Sequence, residues 1–206
     1  MSKNLIIVFV RNPELGKVKT RLSKTVGDAN ALDIYKILLK HTASVIQQIS
    51  SDKVVYYSEK IQYNDVWDDR RFQKKLQEGD DLGARMENAF ETAFKDLYEN
   101  VVIVGSDLYD LKPSHIEDAF TALKNHDLVI GPSLDGGYYL LGMKAVHPAV
   151  FKNKKWGTDS VLEATLTNLK QQNVKVLEAL NDIDTFEDLQ AQPKLLRKLK
   201  NYDKTN

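Results

Sequence analysis

The sequence predicts an α/β fold, a single doubly wound domain whose mostly parallel sheet is flanked by helices, and three observations carry that expectation. Residues 5–10 form an unbroken apolar run, which suits a strand buried on both faces of a parallel sheet. Short apolar runs recur down the chain and are separated by segments of helical periodicity. The unusual concentrations of charge and glycine fall directly after the strands, where open α/β sheets hold their ligands.

The elements follow in order. Residues 5–10 are the first strand. From 28 to 50 the residues Leu32, Tyr35, Leu38, Leu39, Ile46 and Ile49 recur at helical spacing and predict a long amphipathic helix. Residues 53–58 read as the second strand and 72–77 as the third. Leu82, Met86, Phe90, Phe94 and Leu97 then form one helix stripe, and 101–105 follow as the fourth strand. Pro113 precedes a Ser-x-x-Glu capping box, Ser114 to Glu117, that opens a helix reaching about residue 125. Residues 128–130 and 138–143 read as strands, 160–172 as a helix and 174–177 as a strand, and Thr185 caps a last helix. Strand and helix alternate throughout this reading. The tail 194–200 places Leu195, Leu196 and Leu199 on one face, as an ordinary terminal helix with a solvated basic face does.

Composition narrows the function. The 29 Lys and Arg balance the 29 Asp and Glu, so no long-range field favours nucleic acid or an anionic membrane, and an anion has to be held locally. The chain has no cysteine, which leaves any metal to oxygen ligands. The apolar run near the N-terminus is too short for a signal-peptide core or a membrane span, so a cytoplasmic protein is expected.

Four loops carry the candidate chemistry. The first, 11–21, places Arg11, Lys17, Lys19 and Arg21 directly after the first strand. Gly16 permits close backbone approach, and the cations, with Thr20 beside them, can neutralise a di- or triphosphate; the competing reading is a solvated charged loop. It is neither a Walker A loop nor a dinucleotide fingerprint. In the second, Gly105-Ser106-Asp107, the acid ends a very apolar strand and is a good oxygen ligand for a hard cation, or else caps a turn. The third combines Asp135, Gly136, Gly137 and Tyr138; Asp135 is a candidate base or hydroxyl contact, with a plain Asp-Gly hairpin turn an equal alternative. In the fourth, Thr185 is the better helix cap, leaving Asp184 available as a second metal ligand and Asp182 to orient it or hold a turn. The loop with Gly79, Leu82 and Gly83 is able to face a base or sugar, although Asp80 and Asp81 read more simply as acids at a helix N-terminus. Trp156 and Thr158 are candidates to line a pocket, with partly buried packing an equal reading for Trp156. The four histidines lack metal-ligand spacing, and no Gly-x-Ser-x-Gly elbow is present.

The basic loop, Gly105-Ser106-Asp107, the run from Gly131-Pro132 through Asp135-Gly136-Gly137-Tyr138-Tyr139-Leu140-Leu141-Gly142, Trp156-Gly157-Thr158 and Asp182-Ile183-Asp184-Thr185 occur in one order. Together they resemble the nucleotide-diphospho-sugar transferase superfamily of GT-A type, and its small bacterial glycosyltransferase-like branch above all. The chain is similar, more distantly, to phospholactate guanylyltransferases and molybdenum-cofactor nucleotidyltransferases. The resemblance covers nearly all of residues 1–206 and implies a Rossmann-like domain, a nucleotide or nucleotide-sugar with a small-molecule acceptor, and Mg2+ or Mn2+ held by Asp107 with Asp184. One departure stands out: Tyr109 replaces the proline usual in relatives, so the backbone after Asp107 is expected to run differently. The expected activity is metal-dependent nucleotidyl or glycosyl transfer with Lys19, Arg21, Asp107 and Asp135 in the chemistry. The alternative is a binding module without catalysis.

Overall fold

The computed structural model describes residues 3–199. Its seven strands are β1 (Asn4–Val10), β2 (Asp52–Tyr57), β3 (Gln73–Leu76), β4 (Asn100–Val104), β5 (Leu128–Pro132), β6 (Tyr138–Met143) and β7 (Val174–Val176). They form one sheet in the order β3-β2-β1-β4-β6-β5-β7, with β3 and β7 at the edges. The helices are α1 (Thr20–Val26), α2 (Asp28–Gln47), α3 (Leu82–Lys95), α4 (Pro113–Leu123), α5 (Val161–Asn168), α6 (Phe186–Gln190) and α7 (Pro193–Leu196). Among the described residues no helix is long and apolar enough to cross a membrane.

The unbroken apolar run of β1 follows from its place. β1 pairs in parallel with β2 on one side and β4 on the other. Successive side chains of a strand face opposite ways, so Ile6, Val8 and Val10 enter one core while Leu5 and Ile7 enter the other. The first core is closed by α2, through Tyr35, Leu39 and Ile46, and by α4, through Ile116, Phe120 and Leu123. The second is closed by α3, through Met86, Phe90 and Ala93, with Leu162 and Leu166 of α5 packed against it. A third cluster joins Leu22 and Val26 of α1 to Ile34 and Leu38 of α2, Leu189 of α6 and Leu195 of α7. Leu195 and Leu199 thus serve packing; the predicted tail residue Lys200 lies outside the described residues.

Three expectations are corrected. Strand and helix do not alternate throughout: no helix separates β2 from β3 or β5 from β6, and β6 runs antiparallel between β4 and β5. Five residues, Ser133 to Gly137, connect β5 to β6, far fewer than the dozen or so a parallel crossover requires. The α4 cap is not Ser114: Pro113 takes the first helical position, where a missing N–H costs nothing, and Lys112 precedes it. His115 Nδ1 accepts from the Lys112 N–H at 3.2 Å, and burial lowers the His115 pKa. The long helix predicted over 28–50 ends at Gln47, and Gly27, at φ 80°, separates it from the shorter α1.

The loop leaving β1 is fixed by two buried polar side chains. Asn12 Oδ1 accepts from the N–H groups of Glu59 at 2.9 Å and Lys60 at 3.2 Å, while its Nδ2 donates to the Lys60 carbonyl at 2.8 Å. From α2 the Tyr35 hydroxyl accepts from the Arg11 N–H at 3.0 Å, donates to the Arg11 carbonyl at 3.1 Å and lies 3.4 Å from Ser106 Oγ. Tyr35 therefore ties together the loops following β1 and β4. Tyr35→Phe is expected to cost about 1–3 kcal/mol in urea unfolding, since it leaves the Arg11 backbone polar groups unpaired with little change of shape.

Candidate active site

Asp107, Asp182 and Asp184 come from segments some 75 residues apart, yet they converge. After β7 the chain runs along the β5–β6 hairpin, with Leu180 N–H donating to Pro132 O and Leu134 N–H donating to Leu180 O. It then docks beside β4, where Ile183 N–H donates to the Asp107 carbonyl at 3.1 Å. Ile183 is fully buried against α1, α2 and α6, and the acids on either side of it line the opening. Each of the three acids offers an oxygen, and these oxygens lie within 4.8 Å of one another. Burial, with Asp107, Asp135 and Asp184 nearby, pushes the Asp182 pKa up to about 7.

The α6 cap holds this segment. Thr185 Oγ1 accepts from the Asp188 N–H, while Asp188 Oδ2 accepts from the N–H groups of Asp184 at 3.1 Å and Thr185 at 2.7 Å. Asn181 donates to the other carboxylate oxygen at 3.0 Å. Burial works against the Asp188 charge, but the bonds from Asn181 and Thr185 outweigh it and lower the pKa.

Lys19 closes the acid cluster from the opposite side. Its ammonium lies 3.0 Å from Asp107 Oδ2 and 2.8 Å from Asp184 Oδ1, and its side chain is 5% exposed. Burial opposes the charge, yet the two carboxylates together raise the pKa. The Lys19 backbone adopts the left-handed region, φ 49° and ψ 45°, immediately before α1. Arg21 Nη1 is 3.7 Å from Asp184 Oδ2. Lys17 turns away to Glu14 at 2.8 Å and Glu59 at 3.6 Å, and with Lys60 it holds the Glu14 pKa down at about 2. Arg11 makes no ion pair among the described residues.

These groups face one cleft of about 940 Å³ at the carboxyl ends of the strands. Of the residues singled out from the sequence, Arg11, Lys17, Lys19, Thr20, Arg21, Leu82, Asp107, Asp135, Gly137, Tyr138, Trp156, Thr158 and Asp184 line it. Gly16, Gly79, Gly83 and Gly136 do not, and packing or backbone shape accounts for them. Gly16 and Gly79 have positive φ, a Cβ on Gly83 would meet Trp156 at 2.7 Å, and one on Gly136 would meet the Asp159 backbone at 2.2 Å. Asp135 combines the two readings open to it: Oδ1 accepts from Gly137 N–H at 2.9 Å and from Ser133 Oγ, fixing the hairpin, while the residue lines the cleft. Asp81 caps α3 by accepting from Ala84 N–H at 2.8 Å. Trp156 packs against Tyr138, their rings 6.4 Å apart and nearly perpendicular, so it is both wall and packing. Tyr109 stands against His41 at 5.3 Å, and the loop below it is anchored by buried Leu108 and Leu111.

Gln77 and Arg85, which the sequence reading does not single out, also line the cleft, as does Asp182, which the sequence marks as orienting Asp184 or holding a turn rather than as a ligand. For Asp182 the sequence signal is the Asp-x-Asp spacing around an apolar residue in an extended segment, which turns both acids to one side.

A solved structure described as a nucleotide-diphospho-sugar transferase from Desulfovibrio desulfuricans aligns at TM-score 0.87 and 31% identity, covering 97% of this chain and 92% of that one. A 2-phospho-L-lactate guanylyltransferase of Methanocaldococcus vulcanius is 28% identical over 189 residues, 89% of this chain and 82% of the relative. At the level of fold alone, a manganese complex of a Mycobacterium tuberculosis protein aligns at TM-score 0.55 and 13% identity, over 96% of this chain and 100% of that one. Fold, cleft and named relatives together define the class, a transferase of the nucleotide-diphospho-sugar transferase superfamily. The chain belongs to the family described as "Uncharacterized protein conserved in bacteria (DUF2064)", which matches residues 41–158.

The Asp188 anchor yields a pH-dependent expectation. A carboxylate with a lowered native pKa contributes stability that is fully present above its unfolded pKa of about 3.9 and is lost as pH falls through the native value. The stability gap between wild type and Asp188→Asn, measured by urea unfolding, should be constant near neutrality and close below about pH 4. A gap that widens with acid would contradict the assignment.

Proposed function

We propose that this protein is a nucleotidyltransferase that joins a nucleoside triphosphate to a small phosphorylated acceptor with the help of Mg2+ or Mn2+. The observation that carries this reading is the opposition, within one cleft, of three converging carboxylates and the cations Arg11, Lys17, Lys19 and Arg21. Neither half alone suits a polyphosphate. Together they match a ligand carrying several negative charges and a counter-ion.

The donor set fits a hard divalent cation, because Asp107, Asp182 and Asp184 offer only oxygen and their ligand atoms already converge. When bound, such an ion neutralises charge on the phosphates and polarises the reacting phosphorus. The protein's own part is positioning. Arg21 and Arg11 reach the phosphate oxygens from the basic loop, Arg21 in a bidentate manner, and Lys17 does so on leaving Glu14. Leu82, Tyr138 and Trp156 supply apolar wall against which a base or acceptor rests. An acceptor phosphate oxygen attacks the α-phosphorus, the bond to the bridging oxygen breaks, and pyrophosphate leaves. Little covalent chemistry is asked of the side chains. Asp135, engaged in its own turn, contacts the acceptor rather than serving as an obligatory base.

Glycosyl transfer is the second reading, supported by the description of the relative aligned at 31% identity. The two separate by product. With each nucleoside triphosphate, Mg2+ or Mn2+ and phosphorylated hydroxy acids, 2-phospho-L-lactate first, pyrophosphate release is expected. Nucleoside diphosphate release from nucleotide sugars, with no pyrophosphate from any triphosphate, would instead establish glycosyl transfer. Asp107→Asn and Asp184→Asn are each expected to lower kcat/KM about a thousandfold, or about 4 kcal/mol of transition-state stabilisation. Arg21→Ala should act mainly on KM for the nucleotide.

A further inference from the structure

Lys19 occupies an unusual position for a phosphate-binding cation. Its ammonium touches oxygens of Asp107 and Asp184, two of the three acids that converge, and water is almost excluded from the side chain. Its backbone sits at φ 49°, a left-handed conformation that residues with a Cβ rarely adopt. The two charge-assisted bonds to Asp107 and Asp184 offset that preference. The carboxylates gain equally. Three acids with oxygens this close repel one another, and Lys19 is the cation nearest their centre, with Arg21 more distant at 3.7 Å. An ammonium on those oxygens and a divalent cation coordinated by them exclude one another. Yet Lys19 lines the same cleft as Arg11, Lys17 and Arg21, the cations that face a bound anion there.

We propose that Lys19 is an internal counter-ion that holds Asp107 and Asp184 until a metal–nucleotide complex arrives, and then exchanges the carboxylates for the nucleotide's phosphate. This rests on the reading of the cleft as a metal–nucleotide site. The divalent cation alone competes with an ammonium already in place and binds weakly. When phosphate accompanies it, the displaced ammonium regains a partner, so metal and nucleotide enter as a unit. Lys19 in this role is a positioning residue that sets the order of binding.

The test is binding, read without turnover. Free Mn2+ is followed by its electron paramagnetic resonance signal during titration of wild type, Lys19→Met and Lys19→Gly. Methionine removes the charge while keeping the length; glycine also suits the left-handed backbone and supplies a folded variant should methionine fail. With Mn2+ alone, the variants are expected to bind about tenfold more tightly or better than wild type, since a competitor making two charged bonds is gone. In saturating Mn2+ the variants are expected to bind a non-hydrolysable nucleoside triphosphate about tenfold more weakly, since that partner for phosphate is missing. Metal affinity unchanged or weakened in cooperatively folding variants, while wild type binds metal and nucleotide together, would overturn the proposal and leave the proposed function standing. Failure of wild type to bind Mn2+ with or without nucleotide would overturn both.

Discussion

The bridge from Lys19 to Asp107 and Asp184 joins three segments that share no secondary structure, and much of the local architecture serves to make it possible. Parallel strands β1 and β4 end at the same edge of the sheet, so the loops that follow them lie side by side. Tyr35 fixes those two loops to each other, and the Ile183 N–H fixes the third segment to the Asp107 backbone. With the main chain settled by neutral hydrogen bonds, the side-chain charges are left to compensate one another through the Lys19 contacts at 3.0 Å and 2.8 Å. The local excess of acid is thus tolerated without help from the net charge of the molecule, which is zero.

The antiparallel β6 shapes the rest of the cleft. Inserted between β4 and β5, it starts at the ligand end of the sheet, directly after the Ser133–Gly137 turn that follows β5, so a hairpin rather than a helix connection borders the acids. Asp135 spends one oxygen on that turn, which explains how a single residue answers both to a structural and to a ligand-facing description. The close contact of Tyr139 over Gly131, where a Cβ would meet the ring at 2.5 Å, keeps the hairpin stem tight.

Much of this was legible in the residues. The run in β1, the stripe of α3 from Leu82 to Phe94 and the Thr185 cap each follow from a local rule and reappear in the structure. The direction of β6 did not follow, because an apolar run bordered by glycine looks the same in a parallel and an antiparallel strand. The α4 cap was misplaced since Ser-x-x-Glu is a strong pattern, whereas His115 bonding back to Lys112 has none. In the site, the basic loop and the acids ending strands stood out by composition. Asp182 stood out only as a residue that orients Asp184 or holds a turn, because its place among the converging oxygens depends on Ile183 being drawn inward, a tertiary event. The glycines misled in a consistent way: Gly83 and Gly136 mark close approach, but of Trp156 and of the Asp159 backbone rather than of a ligand.

The two edges of the sheet bear on how copies of this chain meet. β7 offers only three residues to an incoming strand, and β3 reads Gln-Lys-Lys-Leu. Lys74 is drawn under the loop that carries Asp65 and Asp69, and Lys75 reaches toward Asp96. A neighbouring strand adding to β3 would have to displace ion pairs and bury cations, so the open sheet is guarded against edge-to-edge growth.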